Sequence, residues 1–156
     1  MTARVLDVHS NKLEIVDKIV TVVEDSFMER KIVLVSKYHR ILEKFKSKRP
    51  YWKYGASSKQ VKWLLFAKFL GLTKWLNMNA TIVMMPVIYQ NRKILSNGLV
   101  QLVKRKHKKI WVWLQEGKQV VTIDSMAQLE RIQNYNIDAI FTSCPEKLHN
   151  ELVPVP

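Results

Sequence analysis

Residues 109–148 read KIWVWLQEGKQVVTIDSMAQLERIQNYNIDAIFTSCPEKL, and three segments stand out in them. An aliphatic and aromatic run at 110–114 has the makeup of a strand, and residues 125–135 read as an amphipathic helix. A second buried run at 137–142 leads into Thr142-Ser143-Cys144-Pro145. Strand, crossover helix and strand in that order form a β-α-β unit, whose two strands lie parallel. The stretch therefore predicts the last such unit of a larger parallel sheet, with the upstream chain supplying the earlier ones.

Working back from it, the same alternation recurs. Residues 3–9 (ARVLDVH) favour a strand, and Ser10-Asn11 can open a helix over 12–27, where Leu13, Val16, Ile19, Val20 and Val23 fall at helical spacing. The run IVLVS at 32–36 is continuously apolar up to Ser36, as in a parallel strand covered on both faces. A basic helix follows over 38–48, with Ile41, Leu42 and Phe45 inward, and ends before Pro50. Residues 80–86 (ATIVMMP) make another buried strand, and 87–93 a loop carrying Tyr89, Gln90 and Arg92. A helix over 95–107 turns Leu99, Leu102 and Val103 to the sheet and ends in basic residues that suit its dipole. Residues 145–152 form a last helix. About five strands of one parallel series result, an α/β architecture in a single domain spanning 1–156.

Between 51 and 79 the rhythm breaks, because no clean strand appears and SSKQVKWLLFAKFLGLTKWL is apolar almost all round. Lys59, Lys62 and Lys74 can share one broad helical face, with Trp63 and Trp75 among the apolar positions and Lys68 opposite. Two readings stand: a helix lying on a membrane surface or lining an entry to a site, and a core helix whose lysines extend to water.

Composition narrows the function classes. The 47% hydrophobic content is ample for a packed core, and the single cysteine, Cys144, permits no internal disulfide and suits a reducing, cytoplasmic compartment. The opening MTARVLDVHS lacks a signal-peptide pattern, and the longest apolar-rich stretch, 61–76, is shorter than the ~20 residues that cross a bilayer. Net charge is +13, and no Asp or Glu occurs from Lys44 to Gln115, where 16 of the 26 basic residues fall. Such a surface is either a solvated basic face or an attractor of phosphates on lipid, nucleic acid or a small substrate. The basic residues follow no nucleic-acid-binding motif, which makes nucleic acid the least favoured partner.

Val112-Trp113-Leu114-Gln115, followed by a helix and then Asn136-Ile137-Asp138-Ala139-Ile140-Phe141-Thr142-Ser143-Cys144-Pro145, resembles the end of the glycerophosphodiester phosphodiesterases. That family has a TIM barrel fold, and its last strands typically read Trp-Thr-Val-Asn, a helix, then Gly-Val-Asp-Gly-Ile-Ile-Thr-Asp-x-Pro. The helix over 95–107 is similar to the one before the tryptophan strand, and Leu6-Asp7-Val8-His9 looks like an earlier segment with an acidic residue, an aliphatic and a lysine. Residues 32–50 look like the strand and proline-ended helix that follow it. The resemblance covers nearly the whole chain and only the C-terminal part of the barrel. It implies an incomplete TIM-type (β/α) barrel.

In the family, two acid–base histidines and two metal-binding carboxylates belong to strands with no counterpart here. The resemblance implies a divalent cation, Ca or Mg, that this chain does not hold alone, with Asp7 the one position that carries over as a metal ligand. His9 stands where the family has lysine, and is either a phosphate-facing group or an ordinary strand-end histidine. Trp113 matches the family tryptophan that packs against glycerol or the leaving alcohol, and as a core tryptophan it would look the same. Gln115 replaces asparagine, Ala139 replaces glycine and Ser143 replaces aspartate.

The expectation is a truncated or divergent relative of enzymes that hydrolyse glycerophosphodiesters to glycerol 3-phosphate and an alcohol, inactive as an isolated chain. Its open sheet edges favour a partner, either a second copy or an N-terminal fragment. The alternative is a basic module that binds phosphate or anionic lipid without catalysis, peripheral to a membrane.

Overall fold

Four consecutive apolar residues with no polar face can only be covered on both sides, and Ile32–Val35 is buried throughout. In the computed structural model, which describes residues 4–89, 92–116 and 119–152, this strand is the centre of a parallel sheet. The chain divides into two compact units, Met1–Val83 and Met84–Pro156.

In the first unit, β1 (Arg4–Asp7), α1 (Glu14–Asp25), β2 (Ile32–Val35), α2 (His39–Lys48), β3 (Lys53–Tyr54) and α3 (Ser58–Phe69) follow in order, with a short 3-10 turn at Thr73–Trp75. The sheet runs β1-β2-β3, Arg4 opposite Ile32 and Val33 opposite Lys53, all parallel. Val16, Val20 and Val23 of α1 and Ile41, Leu42 and Phe45 of α2 join Leu34 in one core, as their spacing predicts. Arg49 clamps α1 through both carboxylate oxygens of Glu24, Nη2 at 2.8 Å from Oε2, and Lys48 reaches Asp17 at 2.6 Å. These cations hold both carboxyl groups below their ordinary values.

α1, α3 and the first helix of the second unit end alike. Phe27, Gly71 and His107 adopt left-handed backbones, with φ of 52°, 72° and 55°, and the next amide reaches back to Val23, Ala67 and Val103. This turn satisfies the last carbonyls of a helix and favours glycine at its left-handed position. Only α3 supplies one.

In the second unit, β4 (Ile82–Pro86), which begins in the first unit, is followed by the hairpin strands β5 (Ile88–Tyr89) and β6 (Arg92–Lys93), then α4 (Asn97–Arg105), capped by the Ser96 hydroxyl. Next come β7 (Lys109–Glu116), β8 (Gln119–Val121), α5 (Met126–Glu130), β9 (Ala139–Ile140) and α6 (Pro145–Leu152). The sheet order is β4-β7-β8, and β9 pairs with the first half of β7, Trp111 opposite Ala139. Alternation along β7 buries Ile110, Val112 and Leu114 and leaves Trp111, Trp113 and Gln115 half-buried on the other face.

The α/β class with parallel strands is present, while the described residues form separate sheets and no closed barrel. Two antiparallel hairpins interrupt the parallel series. Residues 87–93, read as a loop, contain β5 and β6, although Gln90 lies outside the described residues. The strand read at 110–114 runs on to Glu116 and returns as β8, Leu114 opposite Val121. The excursion at 51–79 contains β3, whose two residues are too few to show a periodicity. The helix read over 125–135 is regular only over Met126–Glu130, where α5 ends.

Candidate functional site

Polar side chains gather where the parallel strands end, the edge at which α/β folds build their sites. Each unit has its own set.

In the first unit, the register of β1 on β2 sets Asp7 opposite Val35, so His9 and Ser36 lie just beyond the sheet. The Ser36 hydroxyl donates to the Val8 carbonyl at 2.6 Å and accepts from the Tyr38 amide, tying the two strand ends together. His9 Nε2 lies 2.9 Å from Asp7 Oδ2, and both side chains are more than half exposed. Beyond β3, the buried Ser57 caps α3 in a reciprocal arrangement with Gln60, and its hydroxyl lies 3.1 Å from His39 Nδ1. Glu43 Oε1 is 3.9 Å from the same nitrogen. Ser57 is 0% exposed, so its oxygen serves the helix end and is closed to a substrate.

The second unit contains a group of residues that motif matching passed over. Asp124, between β8 and α5, collects four hydrogen bonds. The Ser143 hydroxyl donates to Oδ2 at 2.6 Å, the Thr122 hydroxyl to the same oxygen at 2.5 Å, and the Thr142 hydroxyl and Ser143 amide to Oδ1 at 2.7 Å each. The hydroxyl of Ser143, then those of Thr122 and Thr142, hold this carboxyl well below the ordinary carboxylate range, against a smaller opposing effect of burial. The Asp124 amide donates to Gln128 Oε1 at 2.8 Å, and the Ser125 hydroxyl caps α5, so the loop is fixed from both sides. Ile123 and Phe141 continue the ladder of β7 and β9: the Ile123 amide donates to the Phe141 carbonyl at 2.7 Å, and the Phe141 amide to Val112 at 3.0 Å. Asp124 thus fastens the loop before α5 to the loop before α6.

Trp113 packs edge-on against Phe141, ring centroids 5.7 Å apart, and Trp111 meets the same ring at 6.5 Å. The Trp113 Nε1 atom is buried without a hydrogen-bond partner among the described residues. Gln115 stands two residues on along the same face of β7, paired in register with Val120.

The four residues singled out from sequence therefore fall into two pairs. Asp7 and His9 are joined directly in the first unit, and Trp113 and Gln115 share one face of β7 in the second. For a cation, the donor set does not fit. Hard divalent ions take several oxygen ligands; among the described residues Asp7 is paired with His9, and the four lone-pair directions of Asp124 already accept hydrogen bonds. Among the described residues no three His, Cys, Asp or Glu side chains gather in a geometry for a metal.

A signal for Asp124 exists in the order of elements. The motif Trp-Thr-Val-Asn ends a strand and is followed by a helix. Val112–Gln115 is followed by β8, whereas Val121-Thr122-Ile123-Asp124 stands directly before α5.

The class these features define is an α/β chain of parallel strands with polar side chains at their C-terminal ends. No family model and no curated protein matches it. Among solved structures it is similar to a candidate glycerophosphodiester phosphodiesterase from Galdieria sulphuraria, with a TM-score of 0.72 and 18% identity over 96% of this chain. It is also similar to a glycerophosphodiester phosphodiesterase from Parabacteroides distasonis, with a TM-score of 0.62 and 14% identity over 96% of this chain. The chain spans 57% of the length of each. At these identities the likeness is one of fold.

Proposed function

We propose that the chain is a divergent glycerophosphodiester phosphodiesterase-like protein whose strand ends receive a glycerophosphodiester and which does not hydrolyse it alone. The observation that carries this reading is the similarity of 96% of the chain to part of two phosphodiesterase folds. The half-buried Trp113 and Phe141 rings supply an apolar wall of the kind a glycerol or alcohol group packs on, and Gln115 an amide on the same face.

Hydrolysis needs a group to protonate the leaving alcohol and a cation to neutralise the phosphate. The described donors do not fit a cation, so the acid–base pair and the metal ligands come from outside these residues. A complementary segment or a second copy pairs along the outer edge of β1, which ends its sheet beside an apolar groove of 360 Å³ formed with α1.

The test is incubation of the purified chain with glycerophosphocholine and Ca or Mg, with release of glycerol 3-phosphate measured, alongside binding of glycerophosphocholine followed by NMR. Saturable shifts at Trp113 and Gln115 without turnover are expected. Turnover by the chain alone overturns the claim of dependence on a partner, and absence of binding overturns the substrate reading.

A further inference from the structure

α3 departs from the other long helices. α1, α2 and α4 each carry an apolar stripe and bury it, whereas α3 is apolar around most of its circumference and buries only Leu64 and Ala67. At 100° per residue, Lys59, Lys62, Trp63, Phe66, Phe69 and Leu70 fall within about 120° of arc whose centre lies about 160° from Leu64. All six are exposed, Phe69 to 86%. The Trp63 and Phe66 rings lie against each other at 5.6 Å. The chain then turns at Gly71, and Leu72 and the 84% exposed Trp75 extend the apolar surface. A helix that is apolar all round is normally buried, and an exposed cluster of this size marks something that covers it.

Charge selects the occupant. Lys59 and Lys62 stand among the aromatic residues, Lys74 follows in the Thr73–Trp75 turn, and no acidic residue occurs from 44 to 115. A mixture of Trp, Phe and Leu with interleaved lysines suits the boundary between headgroups and acyl chains, where rings enter the apolar layer and ammonium groups meet lipid phosphates. The apolar groove of this unit lies elsewhere, between β1 and α1, and a bilayer needs no groove. With 12 residues, α3 is about 18 Å long, and no described helix is long and apolar enough to cross a membrane. We propose that α3 and the Thr73–Trp75 turn dock this chain on an anionic bilayer, lying in its plane with Trp63, Phe66, Phe69 and Trp75 inserted and Lys59 and Lys62 on the headgroups. This goes beyond the substrate reading and does not depend on it.

The test is co-sedimentation of the purified chain with phosphatidylcholine vesicles, with and without phosphatidylserine, at low and high salt. Binding is expected only with phosphatidylserine and weaker in salt. The charge pair K59E/K62E lowers the partition coefficient by at least roughly 30-fold, from the removal of two cations alone, and the apolar pair F69S/W75S abolishes binding. Brominated lipids quench tryptophan emission in the parent and much less in W63F/W75F, which removes both inserted indoles. Circular dichroism and thermal midpoints like the parent's are expected for all variants, since the altered side chains are exposed. Equal binding to neutral vesicles, or parent-like partition of folded variants, overturns the proposal. So does a parent that dimerises through this face, which sedimentation velocity would show as F69S/W75S turning monomeric with vesicle binding unchanged.

Discussion

Anchorage of α3 rests on very few side chains, and this makes a sharp contrast within one helix. Leu64 is 0% exposed and Phe69 86% exposed. Leu64→Ala deletes a fully buried side chain and leaves a cavity, at a cost of about 2–5 kcal/mol. Full burial of a phenylalanine contributes at most about 3 kcal/mol. With 86% of Phe69 in water, only about a seventh of that, roughly 0.4 kcal/mol, is realised. Alanine also has the better helix propensity by a similar margin, so Phe69→Ala should be close to neutral. Urea unfolding of the parent and the two variants, followed by far-ultraviolet circular dichroism, measures the difference. With a slope near 2 kcal/mol per M, Leu64→Ala should lower the midpoint by about 1–2.5 M and Phe69→Ala by no more than about 0.2 M. Equal losses from both, or none from Leu64→Ala, would refute the orientation of α3, and with it the face assigned to the bilayer.

Three other outcomes follow from side chains with defined partners. Asp124 has a folded pKa below its ordinary 3.8, so its contribution to stability is present above that value and is lost as pH falls through the lower folded one. Asp124→Asn should therefore lower the thermal midpoint at neutral pH and reduce its fall in acid, as calorimetry from neutral to strongly acidic pH would show. Burial raises the Tyr54 phenol to about 12 against the opposing charge of Arg49, so its contribution is present below the ordinary value of 10.0 and lost as pH climbs through about 12. Tyr54→Phe removes the 2.7 Å bond to the Arg49 carbonyl at a cost of about 1 kcal/mol, and in an ultraviolet pH titration it deletes the phenol that ionises near 12. Phe27 is 82% exposed with φ of 52°, so Phe27→Gly should stabilise by about 0.5–1 kcal/mol in urea unfolding, the relief of left-handed strain exceeding the entropy glycine loses.

Apolar spacing located the elements whose burial is one-sided or complete. Val16, Val20 and Val23 in α1, Ile41, Leu42 and Phe45 in α2, and the four residues of β2 all lie in the core, because 3.6-residue and continuous patterns report directly on what must leave water. The antiparallel pieces were illegible for a physical reason. β5, β6 and β8 are two or three residues long and are defined by backbone pairing rather than by an apolar face. α3 was ambiguous because an apolar circumference does not say which side is covered. Only the packing of Leu64 and Ala67 orients it.

The site was legible by residue type and less so by register. Asp124 has no neighbouring His or Cys in sequence and belongs to no metal pattern; its four donors come from Thr122, Thr142 and Ser143 across two loops. What joins them is the ladder: Ala139 and Ile140 pair with β7, Phe141 reaches both Val112 and Ile123, and residues 142 and 143 then arrive beside 124. The β7–β8 hairpin interrupts this path between Gln115 and Thr122 without breaking it, because Ile123 takes up the ladder beside Phe141. A comparison of spelling alone stops at Trp113 and Gln115, on the near side of the hairpin. The position directly before a helix lies past it, at Thr122 and Asp124, and these are the residues fixed to the loop that carries Ser143. Ser143 suits that place chemically: its hydroxyl donates to Asp124 at 2.6 Å, where a second carboxylate would repel the first.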